Sequence, residues 1–176
     1  MSVELDRITE LDELLETLRN AESNEIPFIA SRIAIDAESL AQWASFSEVK
    51  YTRNKLIRTE EFELMILGWT PGQSTKIHAH DHQKCWVHIV EGEFVEHRYE
   101  YIDNKMVETS LDNPLPGKTT FMEDDMGYHK LQNVSDRNGM SLHLYYGPID
   151  QCLVYNEETG EFELKKMTYD TEADLA

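Results

Sequence analysis

Apolar positions near the start of the chain recur every three or four residues. The positions are Ile8, Leu11, Leu15 and Leu18. This spacing predicts an amphipathic helix, and Thr9 with Asp12 resembles a capping box at its start. A second short helix is predicted over residues 27 to about 35, and Asp36 can cap a third. We expect residues 1–47 to form a helical segment that covers one side of a sheet.

From about residue 50 onward the pattern changes to short strands with turn residues between them. The predicted strands cover residues 62–69, 75–80, 85–91, 94–101, 106–111, 119–121, 129–133, 141–146, 153–155 and 162–169. Many short strands without helices between them predict a mostly β fold, either an antiparallel barrel or a double-sheet roll. We expect residues 48–176 to be the β part of a single domain that spans residues 1–176.

Charge and composition exclude several classes of function. The chain has 34 acidic and 16 basic residues and a formal net charge of −18, so its surface repels nucleic acids and anionic membranes. It has no apolar run long enough to span a bilayer, and its first residues are acidic, unlike a signal peptide. Its two cysteines, Cys85 and Cys152, cannot form a disulfide framework, which predicts a reducing cytoplasm.

Histidine spacing gives the strongest chemical signal. His78 and His80 are two residues apart, and alternate residues of a strand point to the same side, so both can bind one metal ion inside a roll. Imidazole suits iron, zinc, copper and nickel. His129 starts a later predicted strand, and distant strands become neighbours in a rolled sheet. A lone histidine is usually a surface or core residue, but three at these positions predict a metal site.

The spacing around these histidines resembles the two cupin motifs. Gly72-x5-His78-x-His80-x4-Cys85-x6-Gly92 matches the first motif, with Cys85 where a glutamate ligand usually stands. His129-x3-Asn133 matches the end of the second motif, without the Pro-x-Gly that often precedes it. Three histidines leave open positions on a metal for a bidentate thiol and dioxygen, whereas a zinc hydrolase needs one open position. Metal ligation by Cys85 itself stays an alternative.

Four segments carry a wider resemblance, namely residues 51–54, 64–69, 72–92, and 127–135 with 141–145. By these segments the chain resembles the cysteine dioxygenases of animals and some bacteria. The resemblance implies a cupin enzyme that oxidises L-cysteine with O2 to cysteine sulfinic acid at Fe(II), with His78, His80 and His129 as ligands. It also implies that Arg53 binds the substrate carboxylate, for which its planar guanidinium is suited. The related 3-mercaptopropionate enzymes carry glutamine there, so Arg53 favours cysteine.

The same resemblance assigns roles to residues on two later strands. Tyr145 is expected near the bound sulfur and oxygen, and Cys85 is expected to form a thioether with it. His143 is expected to hydrogen-bond the Tyr145 hydroxyl, with Ser141 on the same face of the strand. The alternative for Cys85, judged by residue type alone, is a small buried side chain.

Several interpretations stay open at the level of sequence. Tyr51 and Trp69 are expected to line the pocket, although Trp69 can equally be plain core. His82 extends the row of alternate histidines, and we expect it to be exposed. A dioxygenase for 3-mercaptopropionate or cysteamine is one alternative, and a cupin that binds a ligand without chemistry is another. Arg53 argues against cysteamine, which has no carboxylate. Family members are usually monomers, so we expect a monomer.

Overall fold

The computed structural model describes residues 6–80, 82–173 and 175. Its three α-helices and a following 3-10 turn precede the strands, as predicted. They are α1 (Leu11–Arg19), α2 (Ile26–Arg32), α3 (Ala37–Leu40) and the 3-10 turn Ala41–Trp43. The predicted cap of α3 is confirmed, because the Asp36 carboxylate accepts a hydrogen bond from the Ser39 amide at 2.8 Å. No described helix has both the length and the apolar character that a membrane span requires.

The predicted capping box of α1 is wrong. Glu10 occupies the N-cap position and makes no side-chain capping hydrogen bond. Thr9 cannot take that position because Ile8, next to it, pairs with Ile33 in an isolated parallel bridge. The Ile8 amide donates to the Arg32 carbonyl at 2.9 Å, so the backbone before α1 is held against the end of α2. The same bridge ends α2 earlier than the sequence predicted.

Eleven strands occur in the described residues. They are β1 (Thr52–Arg58), β2 (Phe62–Trp69), β3 (Lys84–Glu91), β4 (Phe94–Ile102), β5 (Lys105–Asp112), β6 (Thr119–Met122), β7 (Tyr128–Asn133), β8 (Gly139–Tyr146), β9 (Gln151–Tyr155), β10 (Phe162–Lys166) and β11 (Thr171–Glu172). The mostly β prediction is confirmed. The sequence missed β1 and β11, and it made β10 three residues too long. Both missed strands carry polar residues at most positions, which hides the alternation that marks a strand.

The strands form two layers. One layer is a six-stranded sheet with the order β11-β1-β2-β8-β3-β6. The other contains the three-stranded sheet β5-β4-β7 and the pair β10-β9. Residues 74–79 join these two parts, because the His78 amide donates to the His129 carbonyl of β7 at 3.0 Å and the Ala79 amide donates to the Leu153 carbonyl of β9 at 3.0 Å.

The six-stranded sheet has two different buried faces, set by the alternation of side chains along each strand. On β2, Phe62, Leu64 and Ile66 pack in the cluster that contains the helices. Met65, Leu67 and Trp69 pack in a second cluster with residues of β4, β7 and β9. The helices therefore cover the outer face, as predicted, and the inner face lines the space between the two layers.

Candidate metal centre and adjoining pocket

Three histidines converge between the layers. His78 and His80 come from the segment between β2 and β3, and His129 comes from β7. One ligand atom of each lies within 4.8 Å of the others, and Nε2 of His129 is 3.2 Å from Nε2 of His78. The prediction of a strand over residues 75–80 is wrong, since only isolated bridges occur there. The predicted convergence is nevertheless confirmed, because His78 and His129 exchange both backbone hydrogen bonds, at 3.0 and 3.1 Å.

Burial keeps these imidazoles neutral. Desolvation lowers the pKa of His78, and it lowers the pKa of His80 and His129 well below the usual value. Neutral imidazole has a free lone pair for a metal ion, so the donor set fits an iron ion held by nitrogen ligands. Cys85 lies outside the cluster of ligand atoms, which argues against metal ligation by its sulfur.

A buried carboxylate orients His129. Nδ1 of His129 donates to Oε1 of Glu96 at 2.8 Å, and Glu96 is only 1% exposed. Because a carboxylate accepts, the proton lies on Nδ1 and Nε2 is free to face the centre. Nη2 of Arg98 donates to the other oxygen of Glu96 at 3.3 Å. The sequence analysis missed Glu96. Because Glu96 is two residues from Phe94 on a predicted strand, both side chains were expected on the same inner face, where a carboxylate needs a partner.

A pocket opens beside the three histidines, and Arg53 lies in its wall. Arg53 is inside β1 and is 7% exposed. Its Nε donates to the Thr168 carbonyl at 3.0 Å. Its Nη2 is buried and has no hydrogen-bond partner among the described residues. A buried guanidinium nitrogen without a partner is costly, so an anionic ligand group in the pocket fits it.

Tyr145 and Cys85 are direct cross-strand neighbours of β8 and β3. Tyr145 lines the pocket, whereas Cys85 is fully buried behind it. Burial raises the pKa of the Cys85 thiol, and the hydrogen bond from Tyr145 opposes this. Burial also raises the pKa of the Tyr145 phenol well above its usual value, so both groups are protonated at neutral pH.

The predicted hydrogen bond between His143 and Tyr145 is wrong in this structure. Their rings lie side by side with centroids 6.3 Å apart, as alternate residues of one strand do. Nε2 of His143 instead bonds the Ser141 hydroxyl at 2.8 Å, and that hydroxyl accepts from the Trp69 indole at 2.9 Å. Trp69 does not line the pocket. Its ring stacks on that of Tyr51 with centroids 4.8 Å apart, so the core alternative for Trp69 is the correct one.

His82, His88 and His97 are not among the residues that line the pocket. His82 is exposed, as predicted, with a φ of 66°. Nδ1 of His88 bonds the Thr119 hydroxyl at 3.0 Å, and Nδ1 of His97 bonds Glu108 at 2.8 Å. Every described peptide bond is trans, including the bond between Gly147 and Pro148.

A two-layered β roll with three inward histidines on one centre defines a metal-binding protein of the cupin class. The family model described as cysteine dioxygenase type I matches residues 2–158, so the chain belongs to that family. It is 30% identical over 150 residues to cysteine dioxygenase type 1 of Homo sapiens, covering 82% of this chain and 75% of the human protein. The Rattus norvegicus protein of the same name is 31% identical over 134 residues, covering 73% and 67%.

Solved structures support the same fold. A Klebsiella pneumoniae protein with a double-stranded β-helix domain superimposes with a TM-score of 0.53 at 15% identity, covering 73% of this chain and 96% of that one. A Thermus thermophilus protein superimposes with a TM-score of 0.52 at 20% identity, covering 64% and 98%. The cupin roll predicted from the motifs is therefore confirmed.

Proposed function

We propose that this chain is a cysteine dioxygenase that converts L-cysteine and O2 to cysteine sulfinic acid. Both oxygen atoms of O2 are transferred to the sulfur, which supplies all four electrons, so no external reductant is needed. The observation that carries the proposal is the pairing of two groups in one pocket. A cluster of three neutral imidazoles, two of them buried, lies beside a buried guanidinium nitrogen that has no partner in the described residues.

In this proposal His78, His80 and His129 hold one Fe(II) ion. The iron supplies the redox chemistry with O2, which the amino-acid side chains cannot supply. The histidines contribute neutral nitrogen donors, so the site leaves the positive charge of the iron to be balanced by an anionic thiolate substrate. Buried walls from both layers exclude water from this end of the pocket.

Arg53 binds the substrate carboxylate. Thr168 fixes one edge of the guanidinium, and the unpartnered Nη2 remains for the ligand. A guanidinium binds a carboxylate through paired, charge-assisted hydrogen bonds, which orient the whole substrate relative to the histidines. Tyr51 lies in the same wall and shapes the space beside Arg53.

Tyr145 acts at the sulfur end of the substrate, and Cys85 forms a thioether with its ring. The new C–S bond replaces the thiol S–H bond and one ring C–H bond, and O2, the oxidant of the proposed reaction, takes up the two electrons and two protons. The cross-strand register and the hydrogen bond between the two side chains support this bond. A covalent link fixes the ring that presents the phenol, which is preorganisation of a proton donor. His143, bonded to Ser141, supports the wall beside Tyr145.

A second candidate is a dioxygenase of 3-mercaptopropionate, and one observation favours it. The described lining residues include Arg53, Lys76 and Lys165 but no carboxylate. No lining carboxylate among the described residues pairs with the ammonium group of cysteine. A carboxylated thiol without an amine suits a pocket whose charged lining residues are all cationic. The absence of a lining carboxylate gives cysteamine no support.

Oxygen uptake by anaerobically iron-loaded protein tests the proposal, with L-cysteine and 3-mercaptopropionate in parallel and the sulfinate product identified. Faster uptake with cysteine supports the proposal and the role of Arg53. Faster uptake with 3-mercaptopropionate supports the proposed metal site but shows that the preferred substrate is 3-mercaptopropionate. A protein that holds iron and takes up no oxygen with either thiol is a binding protein, and the proposal fails.

We also propose that the enzyme is a cytoplasmic monomer. Cys85 and Cys152 are both buried and are not joined in a disulfide, which suits a reducing compartment. Size-exclusion chromatography with light scattering tests the monomer, because a dimer doubles the measured mass.

A further inference from the structure

The C-terminal segment of residues 167–170, here called the strap, lies beside Arg53. The family match ends at residue 158, so the strap lies beyond it. Even so, Met167 lines the pocket together with Lys165 of β10. The amide of Met167 donates to the Asp150 carbonyl at 2.8 Å, which joins the strap to the loop before β9. The strap is therefore part of the pocket wall.

Four contacts join the strap to Arg53, namely three hydrogen bonds and one cation–π contact. Nε of Arg53 donates to the Thr168 carbonyl at 3.0 Å. The Arg53 amide donates to Oδ2 of Asp170 at 2.9 Å, and the Asp170 amide donates to the Arg53 carbonyl at 2.8 Å. The guanidinium carbon lies 5.9 Å from the centroid of the Tyr169 ring. Both the backbone and the guanidinium of Arg53 are thus held by residues more than a hundred positions away, while Nη2 is buried without a hydrogen-bond partner in the described residues.

One buried carboxylate and one exposed arginine hold Tyr169 in place. Its hydroxyl donates to Oε1 of Glu63, and Nη1 of Arg58 donates to that hydroxyl at 3.0 Å. Glu63 is fully buried on β2, and its other oxygen accepts from the Ile149 amide at 3.1 Å. Ile149 lines the pocket as well, so one buried carboxylate ties the strap and a second part of the wall to the six-stranded sheet.

We propose that the strap is part of the substrate site and that Tyr169 is a positioning residue for Arg53, so that carboxylate recognition depends on the strap. This inference rests on the proposed function, because it takes Arg53 as the carboxylate anchor. A role of Tyr169 in folding alone predicts equal losses for every substrate. A positioning role predicts a loss only for thiols that carry a carboxylate.

The test compares L-cysteine with cysteamine, which lacks the carboxylate and is measured as a substrate or as a competitive inhibitor. In iron-loaded Tyr169→Ala we expect KM for L-cysteine to rise about tenfold, while the constant for cysteamine changes by less than about twofold. The matched control is Tyr101→Ala. The Tyr101 ring packs on the ring of Phe162 in β10, the strand before the strap, with centroids 5.0 Å apart, and Tyr101 does not line the pocket, so this control leaves both constants unchanged.

A double-mutant cycle with Arg53→Ala makes the test sharper. If Tyr169 acts through Arg53, Tyr169→Ala adds less than about twofold to the effect of Arg53→Ala on L-cysteine. Independent, multiplying effects overturn the inference, and so does an equal loss for both thiols. Should Tyr169→Ala fail to fold, Tyr169→Phe keeps the ring and removes the bonds to Glu63 and Arg58. It is expected to raise KM for L-cysteine alone, and a change in both constants or in neither overturns the inference.

The two proposals fail in different ways. Wild-type protein that oxidises neither thiol removes the proposed function and this inference together. Active wild-type protein whose Tyr169 variants match the Tyr101 control removes the inference alone.

Discussion

The metal end and the carboxylate end of the pocket are built in different ways. At the metal end, His78 and His129 are backbone partners, and Glu96 sits on the strand next to His129. At the carboxylate end, Arg53 is held by a carbonyl 115 residues further along the chain. The metal end is built from segments that pair directly with each other. The carboxylate end depends on the packing of the strap against β1. A substitution that weakens binding at one end should therefore leave binding at the other end nearly unchanged.

Removing a histidine ligand should give the largest effect. In His80→Ala we expect iron affinity to fall more than about 100-fold, because two protein ligands remain and loss of an outer partner alone typically costs 10- to 100-fold. Iron content after gel filtration measures this. His82→Ala is the control, since His82 is exposed and outside the cluster, and it should keep its iron. Stoichiometric iron in His80→Ala contradicts the assignment.

Removing the Arg53 side chain should weaken carboxylate binding and have little effect at the metal end. Arg53→Ala should lower kcat/KM for L-cysteine by roughly 30- to 1000-fold, which corresponds to about 2–4 kcal/mol of binding to a carboxylate. Iron affinity should change far less, because the hydrogen bonds of Arg53 go to Thr168 and Asp170 and its effect on His78 is that of a nearby charge. Arg137→Ala removes the same charge at an exposed position and serves as the control. An unchanged kcat/KM in Arg53→Ala rules out the carboxylate role.

The difference between the two ends also explains what could be predicted from sequence. The cluster of His78, His80 and His129 was predictable, because the spacing of these residues indicates a metal site whichever secondary structure holds them. The strand expected at residues 75–80 was wrong, yet the pairing of His78 with His129 placed the rings together. Metal chemistry is thus encoded in residue type and spacing.

The supports of the site were less predictable. For Trp69 the sequence left the pocket wall and the core equally open, and in the structure its ring stacks on Tyr51 outside the pocket lining. Alternation along a strand predicts the face on which a side chain lies but not its distance from the pocket. His143 was expected to bond Tyr145, but the closer Ser141 hydroxyl takes its Nε2. Tyr169 and Thr168 were not identified at all, because contact between the chain end and β1 is set by tertiary packing that no local pattern reveals.

Glu96 offers a smaller change at the metal end. In Glu96→Gln we expect iron affinity to fall about tenfold, because an amide accepts more weakly from Nδ1 of His129 and carries no negative charge. Competition with a chelator measures the affinity without relying on activity. Glu108→Gln is a close match, since Glu108 bonds Nδ1 of His97 at the same 2.8 Å on the surface. Equal iron affinities in the two variants show that Glu96 does not support the metal site.

The smallest expected effect concerns a histidine outside the pocket. His88 is 2% exposed, and burial, aided by the nearby charge of Arg7, lowers its pKa from 6.5 to about 4. The folded protein therefore binds this proton less tightly than the unfolded chain does. Its contribution to stability is complete above the unfolded pKa near 6.5 and is lost as pH falls toward about 4.

Urea unfolding of metal-free protein at about pH 7 and about pH 5.5 measures this loss. We expect the free energy of unfolding of the wild type to fall by about 1 kcal/mol more over this interval than that of His88→Gln. The ligand histidines titrate alike in both proteins, so their contribution cancels in the comparison. His97→Gln changes a surface histidine and should keep the wild-type difference. If the free energy of unfolding of His88→Gln falls as much as that of the wild type, the acid sensitivity does not arise from His88 on the helix-covered face of the sheet.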